Sequence, residues 1–321
     1  MDDRFYTPSI PNGWYQIAYS DEIQPGDVKP LKYFGQDLVI WRSEEGELCV
    51  LDAFCPHLGA HLGHGGKVKG SSIECPFHAW QFGTDGKCTA VPYAEHLPRK
   101  ARVPKWRTKE VANMVMCWYH TAGDPPSFDI PDEVPEWGDD EWTEFISREW
   151  TIRTTNQEMA ENAVDSAHFH YLHGTTSMPK SEASFDGPIL RVYSGAGMET
   201  PRGTVDGSIE SLNYGFGFSV VRFKGIVETL NIASTTPIDE NHCHLRFNFS
   251  VKKTGGAEMA RGVGKAFVAE VSRQVEQDIP IWENKIQHEK PLLCDGDGPI
   301  ALFRRWCTQF YTVPEDQQAA E

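Results

Sequence analysis

The sequence predicts an α+β fold in two domains, and three observations support this prediction. Short apolar runs joined by tight turn signals fill the first third of the chain, which indicates β structure. In the second part, a strand-like alternation occurs together with two helical patterns. Between them, residues 123–140 are rich in proline, glycine and acidic residues, as in a linker. We therefore expect one domain over residues 12–120 and another over residues 121–321, which begins with a linker-like segment at residues 121–140.

Two hairpins are predicted in the first part. Residues 38–41 and 48–52 are β-type runs on either side of a turn signal at residues 43–46. A second turn signal, Thr-Asp-Gly-Lys, lies at residues 84–87. In the second part, apolar and polar residues alternate over residues 243–251, which predicts a strand with one buried face.

Two helices are predicted in the second part. The first covers residues 154–173 and is expected to end at Gly174. The second is a long helix over residues 259–287, with apolar side chains along one stripe. Pro280 is expected to disturb this helix, because proline has no N–H and clashes with the preceding turn.

Composition limits the classes of function that fit this chain. Its 321 residues carry a formal net charge of −16 without a local basic patch, which argues against a nucleic-acid partner. Residues 1–5 are acidic and lack the apolar run of a secretory signal. No stretch reaches the roughly 20 apolar residues of a membrane helix. We expect a cytoplasmic protein without an integral membrane segment.

The chain contains eight cysteines, and we expect no disulfide framework among them, because the chain is large and carries no export signal. Six are scattered without ligand spacing and are predicted to be buried thiols: Cys49, Cys88, Cys117, Cys243, Cys294 and Cys307. The other two, Cys55 and Cys75, each lie close to a histidine.

These two Cys–His motifs are the strongest chemical signal in the sequence. Cys55-x-His57 and Cys75-x-x-His78 are separated by 17 residues. Two thiolates and two imidazoles can hold zinc, or a [2Fe–2S] cluster in which two histidines replace two cysteines on one iron. Zinc fingers favour two or more residues between paired ligands, whereas a single residue separates Cys55 from His57. The spacing favours the iron–sulfur cluster and leaves zinc as the alternative.

Small residues follow the first motif, and they would let its loop fold tightly over a cluster and bring backbone N–H groups to the sulfurs. They are Gly59, Ala60, Gly63, Gly65 and Gly66. His61 and His64 also lie between the two motifs, but neither is paired with a cysteine. We expect both to be solvated loop residues.

A second metal site is predicted between residues 161 and 173. An iron that activates dioxygen needs two imidazoles and one carboxylate on one face, with other positions left open. On an ideal helix His168 and His170 point about 200° apart, and His168 and His173 about 140° apart. The latter pair can bind one ion only if the helix loosens or ends between them. Asp165 lies one turn before His168 and so beside it. Three histidines thus compete for two positions.

The carboxylate ligand is expected from the long helix. Asp278 falls on the stripe that should be buried, and a buried carboxylate needs a cation or a metal to offset its desolvation. The alternative is an aspartate bonded to Lys285 or Arg273 at a kink of the helix. The stripe contains Phe267, Val271, Val275, Asp278 and Trp282.

Beyond these motifs, the chain resembles the Rieske non-haem iron oxygenases over nearly its whole length. Gly13-Trp14-Tyr15 resembles the start of their cluster domain, and the two Cys–His motifs match their cluster ligands. A further motif matches their mononuclear iron site and selects His173 over His170. It reads Asn162-x-x-Asp165-x-x-His168-x-x-x-x-His173.

The resemblance implies the fold of each domain and its cofactor. The first domain would be a small antiparallel β domain with a Rieske [2Fe–2S] cluster, held by Cys55, His57, Cys75 and His78. The second would be a catalytic domain of the helix-grip (START-like) type, in which a curved antiparallel sheet surrounds a long helix. It would hold a mononuclear Fe(II) through His168, His173 and Asp278, with Asn162 and Asp165 as further catalytic residues.

Within this family the chain is similar to bacterial 3-ketosteroid 9α-hydroxylase oxygenases and animal cholesterol 7-desaturases. The similarity is carried by residues 276–285, 298–300 and 304–311. It implies a monooxygenase that uses O2 to hydroxylate a steroid or sterol at an unactivated carbon. Sterol desaturation and C-4 methyl oxidation (demethylation) remain alternatives. Pro280 and Cys307 depart from the usual residues there, which bears on the substrate and not on the iron chemistry.

Electrons are expected from a separate reductase or ferredoxin, because no G-x-G-x-x-G follows a strand in this sequence. The resemblance also implies a head-to-tail ring, usually a homotrimer. In that ring Asp165 would connect the mononuclear iron to a cluster histidine of the neighbouring subunit, since the two centres of one chain would lie too far apart.

The substrate pocket is expected to be apolar with few polar groups. Phe216, Phe218 and Phe247 are candidates for its lining, although each is also typical of ordinary sheet core. Two functions of other classes remain as alternatives: a Rieske electron carrier with an appended domain, and a zinc-stabilised lipid-binding module. The set of two histidines and one carboxylate argues against the electron carrier.

Overall fold

Two units make up the chain in the computed structural model, which describes residues 10–175, 178–200, 203–225 and 227–312. One unit is Gln16–Trp118, and the other combines the residues up to Tyr15 with those from Tyr119 onward. The first contains only strands and one short 3-10 turn, and the second combines one large sheet with four helices among its described residues. The predicted α+β class is confirmed.

The smaller unit is built from three small sheets. Their strand orders are β1-β10-β9, β2-β3-β4 and β5-β6-β7-β8, and β1 begins in the other unit. Residues 43–46 connect β3 with its antiparallel partner β4, and residues 84–87 connect β7 with β8, so both predicted hairpins are confirmed. The strands are β1 (Gly13–Tyr19), β2 (Val28–Tyr33), β3 (Gln36–Arg42), β4 (Leu48–Asp52), β5 (Lys67–Lys69), β6 (Ser72–Glu74), β7 (Gln81–Gly83), β8 (Cys88–Ala90), β9 (Thr108–Val111) and β10 (Met114–Tyr119).

The core of this unit lies under the two Cys–His loops. Inward-facing residues of β3, β4, β6 and β7 pack together with Cys55 and Cys75, both of which are buried. The buried set is Val39, Trp41, Cys49, Leu51, Cys55, Leu62, Ile73, Cys75, Trp80, Phe82, Val91 and Val103. The two thiols are therefore anchored in the core, whereas the loops that carry them reach the surface.

A seven-stranded antiparallel sheet forms the larger unit, in the order β11-β17-β16-β15-β14-β13-β12. The strand predicted over residues 243–251 is confirmed as β17. The strands are β11 (Ile146–Ile152), β12 (Lys180–Asp186), β13 (Ile189–Thr200), β14 (Gly203–Tyr214), β15 (Phe218–Lys224), β16 (Thr229–Pro237) and β17 (Cys243–Val251). Between β10 and β11 the chain forms no helix or strand.

Four α-helices accompany this sheet within the described residues: α1 (Asn156–Glu161), α2 (Ala167–Tyr171), α3 (Ala257–Asn284) and α4 (Ile300–Cys307). The single helix predicted over residues 154–173 is wrong, because the chain breaks between α1 and α2. Asp165 is the cause: its carboxylate accepts the N–H groups of Ala167 and His168, at 3.0 and 3.4 Å. This local bond starts a new helix and competes with continuation of the old one.

The long helix α3 packs on β11 and β17. Its existence is confirmed, with ends two and three residues away from those predicted. Pro280 lies inside α3, and the helix continues through it to Asn284. The expected disturbance is therefore limited to the one backbone hydrogen bond that proline cannot donate. None of the helices in the described part is long and apolar enough to span a membrane.

The six scattered cysteines are buried with two exceptions. Cys88 is half-buried and Cys294 is exposed, so the prediction of a buried thiol is wrong for these two. Cys294 lies in the segment between α3 and α4, outside any helix or strand.

Candidate functional site

The two Cys–His loops share one backbone geometry. In each loop the cysteine N–H donates to the carbonyl five residues later, and the N–H four residues later donates back to the cysteine carbonyl. The N···O distances are 2.9 and 3.0 Å for Cys55 with Ala60 and Gly59, and 2.8 and 3.1 Å for Cys75 with Trp80 and Ala79. The fifth residue of each loop has a left-handed backbone, at φ 75° for Gly59 and 56° for Ala79. The two loops therefore have the same backbone conformation.

The four predicted cluster ligands come together at these loops. Both thiols are buried, whereas His57 and His78 are half-buried with ring centroids 4.8 Å apart. Trp80 stacks on His57 at 4.5 Å and an interplanar angle of 7°. In the described part of the chain, the buried Nδ1 of His78 has no hydrogen-bond partner. An orphaned buried imidazole nitrogen beside two thiols fits a metal ligand set.

The electrostatics of the thiols also fit a bound cation. Burial, together with the neighbouring Cys75, raises the pKa of Cys55 to about 11. The backbone N–H groups of His57 and Leu58 donate to the Cys55 sulfur, and these hydrogen bonds lower its pKa. A ferric centre would offset the desolvation of the thiolates, and the N–H groups would stabilise their charge. This arrangement matches the expectation that the loops bring backbone N–H groups to sulfur.

His61 and His64 lie between the two Cys–His motifs along the chain. His64 is exposed, as predicted, but His61 is half-buried, and its Nδ1 accepts the N–H of Gly63 at 3.0 Å. The two rings contact each other, with centroids 4.4 Å apart.

Replacement of Cys75 with serine is expected to bleach the protein. The hydroxyl is a poor substitute for a buried thiolate, so the cluster should be lost together with its visible absorption, whereas wild-type protein should contain about three irons per chain. The measurement is iron, sulfide and zinc content beside the absorption spectrum. Cys88→Ser is the matched control, since Cys88 is also in this unit but lies outside the loops. A wild-type protein with one zinc and no sulfide would contradict the assignment.

The second predicted site also comes together in the structure. Ligand atoms of His168, His173 and Asp278 all lie within 4.8 Å of one another. His173 Nε2 is 3.4 Å from Asp278 Oδ1, and both residues are buried. Burial lowers the pKa of His173, but the hydrogen bond and the charge of Asp278 outweigh it, so that the pKa is raised. These three groups therefore form a centre that attracts a cation.

Both histidine rings are held by the nitrogen that faces away from this centre. His168 Nδ1 donates to the carbonyl oxygen of Asp165 at 2.8 Å, and His173 Nδ1 lies 3.1 Å from Gln277 Oε1. Because both partners are oxygen acceptors, each Nδ1 carries the proton and each Nε2 keeps its lone pair for a metal. Gln277 was not singled out from the sequence.

His170 is not part of the centre. Its Nδ1 is 2.5 Å from the carbonyl oxygen of Thr175. The alternative partners of Asp278 are also engaged elsewhere, since Arg273 pairs with Glu270 at 2.6 Å and Lys285 pairs with Glu158. Of the three competing histidines, the structure brings His168 and His173 to Asp278.

Asp165 lies beside the centre and also caps α2. Its Oδ2 is 3.6 Å from His168 Nδ1, and its side chain is half-buried. Burial raises its pKa, but hydrogen bonds from His168 and the N–H of Ala167 lower it to below the ordinary value. The carboxylate is therefore charged at neutral pH. Asn162, the other predicted catalytic residue, ends α1 and lines the cavity described next.

A cavity of about 260 Å³ opens beside the centre, within the larger unit. His168, His173 and Asp278 contribute to its wall, and one face of the sheet forms much of the remainder. Two of the three candidate phenylalanines, Phe216 and Phe247, line the cavity. Phe218 is fully buried and is not among the lining residues, in agreement with the alternative of ordinary sheet core.

Two ion pairs connect α1 with the segments around it. Glu161 binds Arg304 of α4 through two hydrogen bonds, at 2.6 and 2.9 Å. Glu158 is fully buried, and its Oε2 lies 2.5 Å from Lys285 Nζ, with no other hydrogen bond to either oxygen in the described residues. Burial raises the pKa of Glu158, although Lys285 opposes this effect. The pairs fix α1, whose last turn leads into the metal centre.

Replacement of Lys285 with methionine is expected to destabilise the protein by about 2 kcal/mol, because the carboxylate of Glu158 remains buried without its cation. Loss of Lys285 raises the pKa of Glu158 further. A carboxyl with a raised folded-state pKa stabilises the fold when protonated, and this contribution is lost as pH rises through that pKa. The deficit should therefore be smallest at acidic pH and grow as pH rises above the ordinary pKa of a carboxyl. The measurement is the free energy of unfolding against pH.

The double variant Glu158→Gln/Lys285→Met provides the control for this prediction. It lacks the Glu158 carboxyl, so its deficit relative to wild type should not grow as pH rises. A Lys285→Met deficit that also fails to grow with pH would contradict the assigned role of Glu158.

Comparison with known proteins agrees with this geometry. Residues 13–107 match the Rieske [2Fe-2S] domain, and residues 117–311 match the 3-ketosteroid 9alpha-hydroxylase C-terminal domain. A 3-ketosteroid-9-alpha-monooxygenase oxygenase component of Rhodococcus rhodochrous is 35% identical, over 95% of this chain and 83% of the relative. Cholesterol 7-desaturase nvd 1 of Ciona intestinalis is 32% identical, over 95% of this chain and 69% of the relative.

Solved structures show the same fold. Dicamba monooxygenase bound to dicamba has a TM-score of 0.75 at 17% identity, over 97% of this chain and 99% of that one. Pseudomonas putida CBB5 NdmA QL mutant with theobromine has a TM-score of 0.73 at 18% identity, over 92% of this chain and 89% of that one.

The fold, the cluster loops and the second metal centre define a Rieske-type oxygenase, an oxidoreductase that carries a [2Fe–2S] cluster and a mononuclear iron. Within that class, the chain belongs to the 3-ketosteroid 9α-hydroxylase family. The resemblance drawn from the sequence is confirmed, as is the prediction of an oxidoreductase. The electron carrier and the zinc-stabilised module are thereby set aside.

Proposed function

We propose that this chain is the oxygenase component of a monooxygenase that hydroxylates a 3-ketosteroid-like substrate at an unactivated carbon. One observation carries the proposal: the group of His168, His173 and Asp278 forms part of the wall of a largely apolar cavity of about 260 Å³. The cavity is close to the lower limit of ligand pockets in size. Relatives that cover most of the chain are named for the 9α-monooxygenase reaction on 3-ketosteroids.

The residues take separate roles in this proposal. The cluster domain, over residues 12–120, would hold [2Fe–2S] through Cys55, His57, Cys75 and His78. The catalytic domain, over residues 121–321, would hold iron through His168, His173 and Asp278. Bound iron supplies the activation of dioxygen with electrons from the cluster. The cavity walls exclude water and hold one C–H bond of the substrate beside the metal.

In the same proposal, the hydrogen bonds made by Nδ1 of His168 and His173 orient the two rings. Asp165 and Gln277 hold the Nδ1 protons of His168 and His173, so each ring presents Nε2 in a fixed direction. Asp278 would supply the single carboxylate of a ligand set of two histidines and one carboxylate, which is typical of iron that activates O2. Asn162 lines the cavity at the end of α1, where it can contact the substrate or its oxidant.

Asp165 is proposed to connect the two redox centres across a subunit boundary. Its carboxylate is charged, half-buried and already in contact with one metal ligand, His168. The family resemblance supplies the partner, a cluster histidine of the next subunit in a homotrimer. Electrons would enter from a separate reductase or ferredoxin in the cytoplasm, where the six cysteines outside the cluster loops would remain reduced.

The test is turnover with a panel of steroids and sterols, a generic reductase and O2. We expect a 3-ketosteroid to gain one oxygen atom, measured by mass spectrometry of the products. Loss of two hydrogens would instead support the desaturase alternative, which the cholesterol 7-desaturase relative favours. Stepwise oxidation of a methyl group would support sterol C-4 demethylation. If no member of the panel reacts in protein that carries both metals, the substrate class is wrong.

A further inference from the structure

The wall of the cavity contains a hydrogen-bonded chain of three side chains, none of which was singled out from the sequence. Ser219 Oγ lies 2.7 Å from Asn213 Oδ1, and Asn213 Nδ2 lies 3.1 Å from Ser211 Oγ. The register of β14 and β15 places Asn213 directly opposite Ser219, and Ser211 is two residues before Asn213 on the same face. All three side chains line the cavity beside the metal centre.

The direction of this chain is fixed by a neighbouring backbone group. Asn213 Nδ2 also donates to the carbonyl oxygen of Leu190 at 3.2 Å. A carbonyl oxygen only accepts, so the nitrogen of the Asn213 amide must face Leu190 and the amide oxygen must face Ser219. Ser219 therefore donates its proton to Asn213, and Asn213 donates one proton to Leu190 and the other to Ser211.

One proton remains without an acceptor at the end of this chain. The Ser211 oxygen accepts from Asn213, and its own O–H has no acceptor among the described residues. Ser211 is only 8% exposed, and the surface that it retains faces the cavity. A buried hydroxyl donor without an acceptor carries a desolvation cost. A ligand oxygen in the cavity that accepts this proton would remove the cost.

We propose that Ser211 donates a hydrogen bond to a ketone oxygen of the steroid, with Asn213 and Ser219 setting its direction. This inference rests on the proposed steroid substrate and names the group that the cavity selects. A ketone oxygen accepts the Ser211 proton and brings none of its own. An alcohol at the same position brings a further O–H, so one of the two protons stays unpaired in an apolar cavity. The cavity therefore prefers a ketone to the corresponding alcohol.

The test uses equilibrium dialysis of three matched steroids against the oxygenase with both metals loaded. One steroid carries a single ketone, the second carries the alcohol in its place, and the third carries neither. Separate sets place the ketone on the first or on the last ring, which identifies the end that is bound. For wild type we expect the ketone at one of these ends to bind about five- to tenfold more tightly than the other two compounds.

Ser211→Ala should abolish this preference by weakening the ketone alone, with the binding of the third compound unchanged. Asn213→Asp keeps Ser211 but reverses the direction of the hydrogen bond between them, because a carboxylate accepts the Ser211 proton and donates nothing. This variant should therefore favour the alcohol over the ketone. Ser194→Ala is the matched control: Ser194 also lines the cavity, but its hydroxyl pairs with Ser181 at 2.7 Å. It should retain the wild-type preference.

The outcomes separate this inference from the proposed function. If wild type binds the steroids but Ser211→Ala weakens all three equally, or none of them, the donor role of Ser211 is refuted and the steroid function stands. If wild type with both metals binds no steroid at all, the proposed function fails and this inference fails with it. The iron content of each variant verifies that both metals are loaded, and its far-UV circular dichroism verifies that it is folded.

Discussion

Replacement of His173 or Asp278 with alanine is expected to abolish oxygenation and the mononuclear iron, while the cluster spectrum stays unchanged. Each side chain supplies one of the three protein ligands, and the loss of one leaves too few to hold Fe(II). The cluster is held by loops of the other unit, so its absorption should survive. The measurements are iron per chain, the visible spectrum and product formed with an added reductase.

His170→Ala is the matched control for these variants, because His170 is a histidine only three residues before His173 and its ring bonds to a backbone carbonyl outside the centre. It should retain the mononuclear iron and most activity. If His170 proved essential for iron and His173 did not, the choice between the competing histidines would be wrong.

Replacement of Asp165 with asparagine is expected to keep both metals and still abolish turnover. The amide oxygen of asparagine can still accept the N–H groups of Ala167 and His168, so the start of α2 should survive. The negative charge is lost, and with it the anion that would accept a hydrogen bond from a ligand imidazole of the neighbouring subunit. Pre-reduced clusters should then fail to re-oxidise when substrate and O2 are added. Rapid re-oxidation with product formation would contradict the role of Asp165.

Mixed rings test whether this coupling crosses between subunits. Asp165→Asn chains have a sound cluster, and Cys75→Ser chains have a sound connecting residue and iron. After the two variants are dissociated and reassembled together, some activity should return. The cluster of an Asp165→Asn chain can then pass electrons to the iron of a neighbouring Cys75→Ser chain, which has no cluster of its own. No recovery in rings verified as mixed would mean that electrons travel within one chain or by another path.

The sequence predicted those features that depend on local patterns. The hairpin turns and the alternation over residues 243–251 defined strands correctly, because a period of two and turn residues act over short distances. The Cys–His motifs located the cluster loops for the same reason. The helix expected over residues 154–173 was wrong, since its periodicity could not show that the Asp165 side chain would bind backbone N–H groups and start a second helix.

Features formed by distant parts of the chain were not visible in the sequence. Gln277 lies 104 residues from His173, whose ring it holds, and Arg304 lies 143 residues from Glu161. No periodicity connects such positions. The left-handed backbone of Ala79 was also missed, since alanine rarely adopts it, and only comparison with the Gly59 loop makes it intelligible.

We propose that the [2Fe–2S] cluster and an iron at His168, His173 and Asp278 act together to insert oxygen from O2 into a steroid. The most direct measurement is a single turnover of pre-reduced protein with a 3-ketosteroid and isotopically labelled O2, without any reductase. We predict a hydroxylated steroid that carries the label, formed in proportion to the clusters that are re-oxidised. An unchanged steroid beside re-oxidised clusters, or a product whose new oxygen comes from water, would contradict the claim.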